Sequence, residues 1–221
     1  MRTICVTGKG RLRLRPDLTS IAMTLEALCP EYGDALRCSS EETEQLAEVL
    51  GGFGFARGDL KTLSFSADPE YEGYEEQGVY HQRLAGYRYR HIMKLEYPSD
   101  NERLGKLLYA LAHAAVRPEV RISYTVSDPE RAKNELLGRA VADASGKAAV
   151  LARAAGVTLK EIQSVSYAWD QPNLEVQPVN RMLLADARMA PKAAGGSYDL
   201  GMEPENIEVS DAVTVIWEIG R

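Results

Sequence analysis

With 221 residues, the chain is long enough to bury a real core, as one large domain or two small ones. Its 45% hydrophobic and 26% charged residues are ordinary for a globular protein. A net charge of −6 argues against a binder of nucleic-acid backbones, and no apolar run approaches the ~20 residues that cross a bilayer.

The N-terminus, MRTICVTGKG, enters a strand pattern at once, with neither the apolar core nor the cleavage site of a secretory leader. As written the chain is expected in the cytoplasm, and in the periplasm or outside the cell if a leader has been removed. Residues 2–7 read as a strand. Gly8-Lys9-Gly10 then reads as a turn; the third glycine and following helix of a dinucleotide fingerprint are missing. Arg11, Arg13 and Arg15 alternate with Leu12 and Leu14 in a second short strand. Their shared face is either an anion site or, as we favour, a solvated strand face.

From Leu18 to Leu28, Ile21, Met23, Leu25 and Ala27 share one parity, as in a strand with one buried face. After Pro30 a helix is expected over roughly 31–50, with Ala35, Leu36, Ser39, Thr43, Leu46, Ala47 and Leu50 inward and glycines at its end. Leu60–Ala67 reads as a strand, and the acidic, tyrosine-rich segment Asp68–Gln82 as a hairpin tip. The strand Leu84–Tyr97 carries Tyr87, Tyr89, His91, Met93 and Leu95 on one face. Ser99 and Glu102 have capping-box spacing before the helical stripe Leu104, Leu107, Leu108, Leu111 and Ala115. Val120, Ile122, Tyr124 and Val126 make the next strand. Residues 18–126 therefore read as βαββαβ, a ferredoxin-like split-βαβ unit with helices packed on an antiparallel sheet.

The longest patterned stretch is SDPERAKNELLGRAVADASGKAAVLARAAG. Ser127 or Asp128 is the cap, Pro129 suits the first turn, and Gly156 ends the helix. Its inner face, Ala132, Leu136, Ala140, Ala144, Ala148, Leu151, Ala152 and Ala155, is mostly alanine, so it can approach a partner element closely. Gly138 and Gly146 cost helix propensity. They are read as close packing, either on a partner subunit or, preferably, on the protein's own sheet. A strand follows over 162–169. In the last strand Ile207, Val209, Val213, Val215, Trp217 and Ile219 share a parity, and Asp211 interrupts it as a bulge would. The expected fold class is thus α+β: the βαββαβ unit at 18–126, and a second α+β subdomain from 1–17 and 127–221 with the two termini adjacent. A long loop at about 170–205 holds Met182, Leu183, Leu184 and Met189, which a wholly solvated loop would not need.

No catalytic constellation is visible. His81, His91 and His113 are neither at metal-ligand spacing nor beside a nucleophile in sequence. Cys5, Cys29 and Cys38 are odd in number and form no CxxC. Glu70, Glu72, Glu75 and Glu76 lack EF-hand spacing. No catalytic, cofactor or metal residue is therefore assigned, and no cofactor is expected. Tyr71, Tyr74 and Tyr80 are candidate interface residues, because tyrosine supplies large contact area at small entropic cost. The alternative for them is a bare exposed hairpin. Met182, Leu183, Leu184 and Met189 complete the candidate interface.

The stretches VTGKGRLRLRPD, GYRYRHIMKLEY, the long alanine helix and IEVSDAVTVIWEI occur in the order and spacing of a known family. On these the chain resembles the SIMPL-domain family, over nearly its whole length. The resemblance implies two intertwined α+β subdomains, self-association and a loose link to envelope or oxidative-stress biology. It carries over no catalytic residues. Many members are exported, and the missing leader departs from that pattern. The expectation is a non-enzymatic homo-oligomer that binds no nucleic acid. The alternative is a small-molecule or peptide-binding module using a groove between the two subdomains.

Overall fold

Seven strands form among the described residues, most of them with apolar side chains at alternate positions. The computed structural model describes residues 2–76, 78–167, 174, 175 and 203–220. In chain order the elements are β1 (Thr3–Leu14), β2 (Leu18–Cys29), α1 (Tyr32–Gly51), β3 (Lys61–Glu76), β4 (Val79–Pro98), α2 (Asn101–His113), β5 (Glu119–Thr125), α3 (Pro129–Ala155), β6 (Thr158–Tyr167) and β7 (Ile207–Gly220). The fold is α+β, with two antiparallel sheets. The chain divides into two compact units.

One unit spans Leu18–Tyr124 and holds a four-stranded sheet of order β3-β4-β2-β5. β2 and β4 pair antiparallel with Ile21 opposite Leu95 and Met23 opposite Met93. Those residues, with Leu25 and Tyr89, are buried against Leu46 and Leu50 of α1 and Leu104, Leu107 and Leu111 of α2. Leu36, expected inward, is exposed. Asp100, one residue later than the expected cap, accepts from the Arg103 amide at 3.0 Å. Ser99 is occupied instead by the Thr19 hydroxyl, at 3.1 Å.

The other unit draws on both chain ends, with a sheet of order β1-β7-β6 and α3 packed on it. Asp128 is the helix cap, accepting from the Arg131 amide at 2.8 Å. Ser127 donates its amide and its hydroxyl to Asp17, both at 2.6 Å, so no capping box forms. Gly156 ends the helix at φ 65°. Gly8-Lys9-Gly10 does not turn the chain: β1 is one continuous strand, paired with β7 from Thr3–Glu218 to Leu14–Ile207. The glycines answer a different need. A Cβ on Gly8 would lie 2.1 Å from the Ala140 carbonyl oxygen and 2.7 Å from the Ala144 Cβ. One on Gly10 would lie 2.2 Å from the Leu136 carbonyl oxygen. The alanine face of α3 rests directly on these two glycines.

Gly138 and Gly146, expected to pack on the protein's own sheet, meet nothing there: a Cβ on either would have no atom within 4 Å. Asp211 makes no bulge either. It lies opposite Gly10 in unbroken register, where the glycine leaves it space. The irregularity falls in β6, between Leu159 and Ser164. It shifts the parity of that strand, so Ile162, Val165 and Tyr167 oppose Trp217, Val215 and Val213.

Candidate functional site

The β3–β4 hairpin carries the most exposed aromatic side chains among the described residues. Strand pairing runs through the acidic segment expected as a tip, out to Glu76 opposite Val79, and Gly78 turns the chain at φ 77°. No residue of β3 is buried. A register shift between Glu70 and Tyr71 decides which side chains share a face. Beyond it Tyr71 opposes Leu84, and Glu75 opposes Tyr80, on one face. The Tyr80 ring lies over Gly73 of that face, where a Cβ would be 1.9 Å from the Tyr80 hydroxyl. Tyr74 and His81 oppose each other on the opposite face, stacked at 5.4 Å, with the Arg83 guanidinium 5.6 Å from the Tyr74 ring centroid. Arg83 in turn holds Glu72 at 2.5 Å.

The predicted tyrosine group is therefore divided. Tyr74 is engaged within its own strand pair. Tyr71, Tyr80 and Leu84 stay 61%, 69% and 47% exposed on one face. At the root of the hairpin Arg88 bridges Glu70 and Glu26, bonding Glu70 with a second nitrogen at 2.8 Å and Glu26 at 3.1 Å. That guanidinium holds the Glu70 carboxyl below the usual carboxylate range. Met182, Leu183, Leu184 and Met189 lie outside the described residues.

The histidines do not meet one another. His113 stacks on Tyr109 at 4.2 Å. The His91 ring sits between α1 and β3. Thr43 donates its hydroxyl proton to the Ser39 carbonyl at 2.7 Å, so it accepts from His91 Nδ1–H at 3.2 Å. Thr62 then donates to Nε2, at 2.9 Å. Burial lowers the affinity of this ring for a second proton. The Ser39 hydroxyl also lies 3.2 Å from the His91 Nδ1. Spacing alone places Ser39, Thr43 and His91 each on the inner face of its element, whereas their meeting, and the third hydroxyl from Thr62 of β3, leave no sign in the sequence. Among the described residues no group of three or more His, Cys, Asp or Glu is placed to hold a metal ion. The Cys29 thiol is buried, and burial pushes it up, away from the reactive thiolate.

The family model described as SIMPL, protein of unknown function (DUF541), matches residues 4–217. The chain belongs to the SIMPL family. It is 23% identical over 216 residues to uncharacterized protein YggE of Escherichia coli K12, covering 98% of this chain and 82% of that relative. YggE of Edwardsiella ictaluri is 23% identical over 218 residues, 99% of this chain and 87% of that one. A 26 kDa periplasmic immunogenic protein of Brucella melitensis is 24% identical over 164 residues, 74% of this chain and 65% of that one. Among the described residues no helix is long and apolar enough to cross a membrane.

Proposed function

We propose that this SIMPL protein is non-enzymatic and works by self-association, with copies meeting through the β3–β4 hairpin face of Tyr71, Tyr80 and Leu84. The observation that carries this reading is the exposure of three large side chains on one face of a hairpin whose β3 is an edge strand. Buried at an interface, such aromatic anchors supply contact area for little rotamer entropy. The polar partners on the opposite face, Glu72, Tyr74, His81 and Arg83, hold the hairpin in shape without using the apolar face.

Light scattering on a sizing column tests this. The intact chain is predicted to give a defined oligomer, and the Tyr71→Ser/Tyr80→Ser/Leu84→Ser variant a single chain with unchanged circular dichroism. A single-chain mass for the intact protein at high concentration contradicts the proposal. The Brucella relative named as periplasmic makes the cell envelope the compartment to examine first, and fractionation of the producing cell checks it.

A further inference from the structure

β1 ends at Leu14, which leaves Arg15 outside it, and the folded chain brings Arg139 of α3 to Arg11 and Arg13 instead. Arg11 and Arg13 lie on the face of β1 turned away from the alanines of α3, opposite Ser210 and Glu208 of β7. Arg139, on α3, reaches the edge of the same strand and donates to the Arg11 carbonyl at 3.0 Å. With Leu12 and Val209, these five residues line an open cleft of about 620 Å³.

Three guanidiniums and one carboxylate, Glu208, line the cleft. Arg139 is positioned by Glu135 at 2.6 Å. Arg13 reaches Glu208 only at 3.7 Å, with the two side chains 70% and 75% exposed, a loose pair that an incoming anion displaces readily. Arg11 makes no close ion pair among the described residues, and its charge acts from a distance on the Asp143 carboxylate. Its strand neighbour Ser210 is small and carries a hydroxyl. Guanidinium forks match tetrahedral oxyanions, and a dianion gains more from several of them than a lone carboxylate does. The cavity exceeds a bare phosphate ion in size and leaves room for an organic substituent.

From this we infer that the cleft at the β1 edge is a binding site for a phosphate group, presented either as the free anion or as a small phosphomonoester. Arg11 and Arg13 grip the oxygens, Arg139 closes the edge side, and the Ser210 hydroxyl donates from β7. The site lies in the unit built from both chain ends and is independent of the hairpin.

The test is a titration of the full chain with inorganic phosphate, followed by amide resonances. Saturable shifts centred on Arg11, Arg13, Arg139 and Ser210 are expected. Arg11→Gln/Arg13→Gln is expected to weaken binding at least tenfold with an unchanged melting temperature. Phenyl phosphate binding tighter than phosphate identifies a phosphomonoester as the occupant, and equal binding identifies the free anion. Absent or unsaturable shifts, shifts centred elsewhere, or a double variant that binds like the parent overturns the proposal. If the double variant fails to fold, Arg11→Lys decides. It keeps the charge, loses the fork, and is expected to weaken binding severalfold; unchanged binding overturns the proposal.

Discussion

A Cβ at Gly8 has nowhere to go, because the carbonyl oxygen 2.1 Å away belongs to the backbone of α3 and cannot rotate aside. Gly8→Ala is therefore predicted to destabilise by about 3 kcal/mol, the upper range for overpacking, since strand and helix must part. Gly146→Ala has the opposite sign: the site is open, and the gain in helix propensity is about 1 kcal/mol. Urea unfolding of both variants checks the pair. In sequence these glycines look alike, and the close packing on the protein's own sheet falls to Gly8 and Gly10 rather than to Gly138 and Gly146. The alanine face was legible from its spacing, but the strands it rests on, β1 and β7, lie at the two ends of the chain. His91 gives a pH prediction. Its folded-state affinity for a proton is depressed, so the unfolded chain binds that proton more readily. Stability contributed by the neutral ring is present above the ordinary value of 6.5 and declines as pH falls through it. Unfolding measured from neutral pH to about pH 5 should show a smaller loss in His91→Gln than in the parent.

At the scale of elements, one helix stripe governs an edge. Arg139, Asp143 and Lys147 follow one another at single-turn spacing on α3. They bond the Arg11 carbonyl at 3.0 Å, the Lys9 amide at 2.7 Å and the Thr7 carbonyl at 3.3 Å, groups a further strand would otherwise take. Lys147 and the Lys9 amide hold the Asp143 carboxyl below its usual range. Asp143→Asn is predicted to lower the melting temperature at neutral pH. The deficit should shrink as pH falls below the ordinary aspartate range, where the parent also loses its carboxylate. Convergence of the two melting curves in acid supports this; a constant deficit counts against it. Charge at these positions was legible as the outer side of an amphipathic helix. Its work on β1 was not, because side-chain bonds to a strand edge leave no periodic signal. The same limit applies to β6. By residue number Val165 and Tyr167 differ in parity from Ile162, yet a register shift, invisible in composition, brings all three to one face.

For the whole molecule, fold class and family were legible because both rest on patterns that extend over the chain: period-two strands, the alanine helix, and motifs in fixed order. The division of the tyrosines was not, since it turns on one shifted residue in β4. Self-association through that divided hairpin is the central claim, and it predicts that burial at one place depends on concentration. The measurement to make is amide hydrogen exchange across a dilution series. Protection in residues 71–84 should fall on dilution while the buried core of β2 and β4 stays unchanged. Exchange in 71–84 that is fast and indifferent to concentration would contradict the account.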